Sequence, residues 1–192
     1  IAHSVRDLPV DDEFIDLIND RGVCYIPTLT REVSTFIYES EPAFFSDPYF
    51  LKEADATTLE QLRSPERQSQ MRNSRAAAGY KIALEVAMAN IKALHDGGVR
   101  IAMGTDTGPP ARFQGYFEHM EMQMMVDAGM SLIEGIRAST GVAADCMGMG
   151  DIGTLEPGKW GDLLVLDANP AEDIANSKTI ASVWIAGNRV PD

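Results

Sequence analysis

The sequence predicts an α/β protein built on parallel strands, and three observations carry that prediction. Helical and strand-like segments alternate along roughly the first 150 residues. The strand-like runs at 23–29 and 99–103 are apolar rather than alternating, as strands covered by helices on both faces must be. The segment leaving the second run, Gly104-Thr105-Asp106-Thr107-Gly108, is a polar loop.

The elements follow in order. Asp11 is a suitable N-cap for a short helix carrying Phe14, Ile15, Leu17 and Ile18, and Gly22 supplies its left-handed stop. Val23 to Leu29 is a β-branched and aromatic run, expected to fray at Pro27, which has no N–H for a ladder. Residues 30–64 mix aromatics with helix breakers, notably Glu39-Ser40-Glu41-Pro42 and Phe44 to Phe50. An insertion of this kind is either a lid or docking surface, or an excursion packed by its own aromatics. Arg63, Arg67, Arg72 and Arg75 have the spacing of a solvated helical face.

From about Pro65 to His95 the pattern is helical, with Tyr80, Leu84, Ala87, Ile91 and Leu94 on one stripe and Gly97-Gly98 as the stop. Val99 to Met103 is the next strand. A helix is expected from about Phe117 to Ala128, and the capping box from Ser131 to Glu134 starts another that runs to about Ala144. After a Pro157-Gly158 turn the chain becomes all-β. Asp162–Asp167 and Ile180–Ala186 are strands, and Gly187-Asn188 signals a hairpin returning at Arg189.

With 45% apolar and 23% charged residues, the 192-residue chain has the composition of a globular protein. Sixteen Lys and Arg against 29 Asp and Glu leave a formal charge of −13, which argues against nucleic acid or anionic membrane as a partner. Cys24 and Cys146 lie among apolar or small residues and form no Cys-x-x-Cys pair, so buried free thiols are expected. The chain opens Ile1-Ala2-His3-Ser4, as though inside a structural element, and the cytoplasm is the favoured compartment. A closed (β/α)₈ barrel needs about 250 residues, so either a small open sheet or the later part of a barrel is expected.

Chemistry in parallel α/β folds gathers at the C-terminal ends of strands, where loops converge on one opening. His3 and Asp106 each follow an apparent strand end, and both side chains suit a divalent metal. Asp106 in its Gly-Thr-Asp-Thr-Gly setting also suits a simple turn. His119 opens the methionine-rich helix, where packing is the default role. His95 ends a helix, where a cation complements the dipole.

Taken together, several segments resemble the amidohydrolase superfamily, most closely its imidazolonepropionase-like and prolidase-like (Xaa-Pro dipeptidase-like) branch. Gly98 to Asp106 is similar to the eighth-strand segment, and Glu118–Glu121, Asp127–Ser131 and Gly135–Thr140 to the helices that follow. Ile152 to Asp167 resembles the return into a small β-domain, with Gly161 where alanine is common. Ile1-Ala2-His3 and Gly22–Leu29 look like the sixth and seventh strands.

The resemblance implies the C-terminal part of a metal-dependent hydrolase (β/α)₈ TIM barrel, strands 6 to 8, over residues 1–150, with an insertion at about 30–78 and part of a small β-sandwich over 151–192. It implies a metal ligand in His3, and in Asp106 a residue that contacts the metal and shuttles a proton. Thr105, Thr107 and His119 become candidates for supporting that carboxylate or the substrate. The implied cofactor is a divalent metal, zinc by preference, as one ion or two. The implied reaction is cleavage of a C–N bond in a dipeptide or similar small amide, with an imidazolone-type cyclic amide second. The family's remaining metal ligands have no counterpart here, so the chain alone is expected to be inactive and to need the missing half of the barrel, with a homo-oligomer expected. The alternative is a non-catalytic half-barrel or interaction module using the 30–64 aromatics.

Overall fold

The computed structural model describes residues 1–191. The chain is mostly helical, with a small antiparallel sheet at its C-terminal end. The helices are α1 (Asp12–Asp20), α2 (Leu29–Val33), α3 (Pro48–Glu53), α4 (Ala56–Arg63), α5 (Pro65–Arg72), α6 (Arg75–Asp96), α7 (Phe117–Asp127), α8 (Leu132–Ala138) and α9 (Gly141–Cys146). The sheet is β1 (Leu163–Leu166), β2 (Ile180–Ile185) and β3 (Asn188–Arg189).

The apolar runs expected as strands do lie parallel, but their pairing is reduced to single bridges. Ala2 pairs with Ile26, and Tyr25 with Ile101. Tyr25 donates to the Arg100 carbonyl and its own carbonyl accepts from Ala102, both at 2.9 Å, while Ile26 donates to the Ile1 carbonyl at 2.9 Å. Residues 25–26 therefore lie between the other two segments, and Pro27 stops the ladder. Around them α6 contributes Ala87, Ile91 and Leu94, each fully buried, to a core with Tyr25, Leu29, Ile101 and Met125. The stripe expected on α6 is the face that packs.

Two long helices anticipated from periodicity are each broken in two, because side chains compete with the backbone ladder. The Asn73 amide donates back to the Ser69 carbonyl, and Ser74 accepts from the Ala77 N–H to start α6 afresh. The capping box of α8 forms as expected, and Ser131 holds the Glu134 carboxyl down to about 2. That helix ends at Ala138, where the Ser139 and Thr140 hydroxyls donate to the Gly135 and Ile136 carbonyls.

The insertion packs on itself. Tyr38, Phe45 and Phe50 are buried with Leu59, Leu62 and Phe117, and Phe45 stacks on Phe50 at 5.6 Å. The cluster abuts the loop that follows Ile101, where the Tyr38 hydroxyl donates to the Ala111 carbonyl at 2.6 Å.

The two cysteines are not free thiols. Cys24 and Cys146 form a disulfide, with Cα atoms 5.9 Å apart across 122 residues of sequence. The bond fastens the end of α9 to the start of the middle parallel segment, a juxtaposition made by the fold.

In the tail β1 and β2 are antiparallel, with Leu163 opposite Trp184 and an irregularity between Val165 and Leu166. The hairpin turn is Ala186-Gly187, one residue earlier than expected, with both residues left-handed and Asn188 already in β3. Asp162 fixes the register by accepting from the Ala186 N–H at 2.7 Å. A Cβ at position 161 would lie 2.9 Å from the Gly187 Cα, which accounts for Gly161 where the resembling motif favours alanine.

Candidate functional site

Of the five described non-glycine residues with left-handed backbone, which include Ala111 and Ala186, three lie just beyond the parallel bridges: His3 (φ 73°), Thr28 (φ 51°) and Asp106 (φ 56°). Each follows one of the three segments, so all lie toward the same, C-terminal end. Such backbone costs about 1–3 kcal/mol per residue and gathers where side chains must be aimed rather than merely packed. For β-branched Thr28 it is an outlier.

The three are linked. His3 Nδ1 lies 2.9 Å from the Thr28 hydroxyl, and no described residue bonds its Nε2. Three residues beyond Thr28, the Arg31 Nε is 3.4 Å from the Asp106 carboxylate. Arg112 Nη1 donates to the same oxygen, Oδ2, at 2.7 Å and to the Asp106 carbonyl at 3.1 Å. Gly104 lets this loop lie against the middle segment, since a Cβ there would meet Ile26 Cγ2 at 2.6 Å. The threonines flanking Asp106 do not bond its carboxylate. The Thr105 and Thr107 hydroxyls donate to Glu118 at 3.0 and 2.8 Å, and Glu118 also accepts from the Gly115 N–H at 2.8 Å.

Beneath this surface lies Glu121, fully buried and not anticipated from the sequence. It accepts from the Leu29 N–H, the Thr30 N–H and the Thr30 hydroxyl, each at 2.7 Å, and so fixes the bend that carries Thr28 and Arg31. Burial pushes its carboxyl up to about 7 despite those donors, with the Glu32 carboxylate adding to the rise. One signal was available: Phe117, Glu121 and Met125 recur every four residues, which puts a carboxylate in the buried stripe of α7.

Glu32, also fully buried, draws Ser4, Arg6 and Arg31 onto its Oε1 at 2.9–3.2 Å, while its Oε2 has no partner among the described residues.

His119 is occupied elsewhere. Nε2 lies 2.9 Å from the Tyr49 hydroxyl and Nδ1 2.9 Å from the Ser177 hydroxyl, joining the insertion to the C-terminal tail. Burial holds its imidazole below the ordinary range. His95 ends α6, where its Nε2 lies 3.1 Å from Glu134.

Among the described residues no group of three or more His, Cys, Asp or Glu converges in the manner of a metal site. His3 and Asp106 nonetheless have the chemistry of two members of a larger set. Thr28 engages one ring nitrogen of His3 and leaves the other open, the arrangement by which an outer residue orients a metal-binding imidazole. The Asp106 carboxylate is part-exposed at the same end.

The pattern that describes the amidohydrolase family matches residues 13–190. Imidazolonepropionase from Streptomyces avermitilis is 31% identical over 104 residues, covering 53% of this chain and 25% of that protein. The 5-methylthioadenosine/S-adenosylhomocysteine deaminase of Bacillus thuringiensis is 27% identical over 123 residues, covering 54% and 28%. A provisionally assigned prolidase from Bifidobacterium longum superposes with a TM-score of 0.68 at 26% identity, over 99% of this chain and 41% of that one. The chain thus spans about a quarter of the matched curated proteins and two fifths of the solved one.

Proposed function

The chain belongs to the amidohydrolase family, and on that premise we propose that it is the C-terminal part of a metal-dependent hydrolase cleaving the C–N bond of a small amide or dipeptide. In this reading the three parallel segments are strands six to eight of a (β/α)₈ barrel, and the tail is part of a small β-sandwich. The remaining strands and ligands come from the rest of the protein, so the chain alone is inactive.

One observation carries the reading. His3 and Asp106, a hundred positions apart, follow parallel segments toward one end, on strained backbone, and are joined through the bend at Thr28–Arg31. The likeness to the Bifidobacterium longum protein, itself assigned as a prolidase, favours a dipeptide. Tyr38, Phe45 and Phe50 pack inward with Leu59, Leu62 and Phe117, which supports this reading over an interaction module built on those three rings.

A divalent ion, zinc by preference, would supply Lewis-acid activation of water and of the scissile carbonyl. His3 would help hold it through Nε2, with Thr28 setting the ring. Asp106 would take the proton from the attacking water and return it to the departing nitrogen, acting first as base and then as acid. Among the described residues no helix is long and apolar enough to cross a membrane. The Cys24–Cys146 pairing favours an oxidising compartment over the cytoplasm.

The test uses the complete protein. Asp106→Asn should lower kcat by about 10²–10⁴-fold with unchanged circular dichroism, and a chelator should abolish turnover until zinc is restored. Full activity in that variant would remove Asp106 from the chemistry.

A further inference from the structure

One buried carboxylate ties the chain behind His3 to the chain beside Asp106. Glu32 of α2 is fully buried. Its Oε1 accepts from the Ser4 hydroxyl at 3.2 Å, from Arg6 Nη1 at 3.0 Å and from Arg31 Nη1 at 2.9 Å. Ser4 and Arg6 follow the first parallel segment, directly after His3. Arg31 follows the second segment and extends the link, since its Nε lies 3.4 Å from the Asp106 carboxylate, beyond the third. The loops that leave all three parallel segments are thus joined through one side chain.

The chain behind His3 is held at three successive residues. Between Ser4 and Arg6, the Val5 N–H donates to the Tyr25 hydroxyl at 2.8 Å, and the Val5 carbonyl accepts from Asn90 Nδ2 at 2.8 Å. Tyr25 and Asn90 are both buried. The Arg6 guanidinium also lies 5.3 Å over the Tyr80 ring, which fixes its approach to Glu32. The start of α2 is itself anchored, because Glu121 grips the Leu29 and Thr30 N–H groups. Apolar side chains of similar volume can stabilise a fold as well as a buried ion pair does, but only directional donors fix how two loops meet. A metal site needs that definition, since its ligand distances hold to within about 0.2 Å.

We propose that Glu32 is a positioning residue for the metal site: by holding Ser4 and Arg6 behind His3, and Arg31 beside Asp106, it sets the separation and aim of the two candidate ligands. This rests on the reading of His3 and Asp106 as metal ligands. Glu32 touches neither of them and takes no part in proton transfer. Its effect reaches them through the backbone of residues 3–6 and through the Arg31 guanidinium.

The experiment uses the complete protein and reads zinc affinity by chelator competition, with the visible absorption of the cobalt-substituted protein as a second readout. Glu32→Gln keeps the shape and removes the charge, and should weaken zinc binding about ten- to a hundredfold and change the cobalt spectrum. Arg6→Met leaves Glu32 paired with Arg31, so it serves where loss of the carboxylate prevents folding, and should weaken zinc about tenfold. Leu94→Ala, a truncation in the core under α6, should lower stability and leave both readouts unchanged. Wild-type zinc affinity in folded Glu32→Gln, or in Arg6→Met, would overturn the proposal. So would an equal loss in Leu94→Ala, since general destabilisation would then explain it. Zinc binding that is indifferent to Glu32 discards this inference and keeps the metal-dependent hydrolase, whereas a wild type that binds no divalent ion discards both.

Discussion

Replacing Glu121 by Gln tests whether a buried carboxylate holds the site's central bend. The two carboxyl oxygens accept three hydrogen bonds of 2.7 Å from Leu29 and Thr30. Glutamine keeps one acceptor and turns an NH₂ toward a backbone N–H, so one buried donor loses its partner, at a cost of about 1–3 kcal/mol. The pH dependence is more diagnostic than the mean. Burial raises the folded-state carboxyl from 4.5 to about 7, so between those values the native protein holds a proton that the unfolded chain has released. The resulting stability is complete below about 4.5 and is lost as pH rises through about 7. Glutamine does not titrate, so its penalty should be larger at pH 5 than at pH 8, by about 2 kcal/mol. Urea unfolding of wild type and Glu121→Gln across this range measures the difference directly, with other titrating groups cancelling. Parallel pH profiles for the two proteins would refute the claim that Glu121 is buried and protonated on the acid side of neutrality.

Two further outcomes follow from the same structure. Replacing Cys24 and Cys146 together by Ser opens a link spanning 122 residues and should cost about 2–5 kcal/mol in denaturant unfolding. A wild-type midpoint indifferent to reductant would count against the bond. His119 is kept below its ordinary value of 6.5 by burial, so its contribution is intact above that value and is lost as pH falls through it. His119→Gln should therefore lose less stability than wild type between pH 7.5 and 5, with turnover of the complete protein preserved. A collapse of kcat in that variant would return His119 to the site.

The sequence by itself determined what local chemistry controls. The Asp11 cap, the Ser131–Glu134 capping box, the apolar stripe of α6 and the β1–β2 strands are set by residues within a turn or a pleat of one another, and each was legible. So was the placement of His3 and Asp106 after parallel segments, because strand ends announce themselves through the change from apolar residues to small and polar ones.

Tertiary structure decided the rest. The Cys24–Cys146 bond, the grip of Glu121 on residues 29–30 and the convergence of Arg31 and Arg112 on Asp106 depend on how segments approach in space. Two of these join groups about ninety or more positions apart, and spacing along the chain carries no signal for such pairs. The partition of Thr105 and Thr107 toward Glu118, and of His119 toward Tyr49 and Ser177, has the same origin. A polar side chain has several acceptors within reach of its sequence neighbours, and packing chooses among them by desolvating all but one.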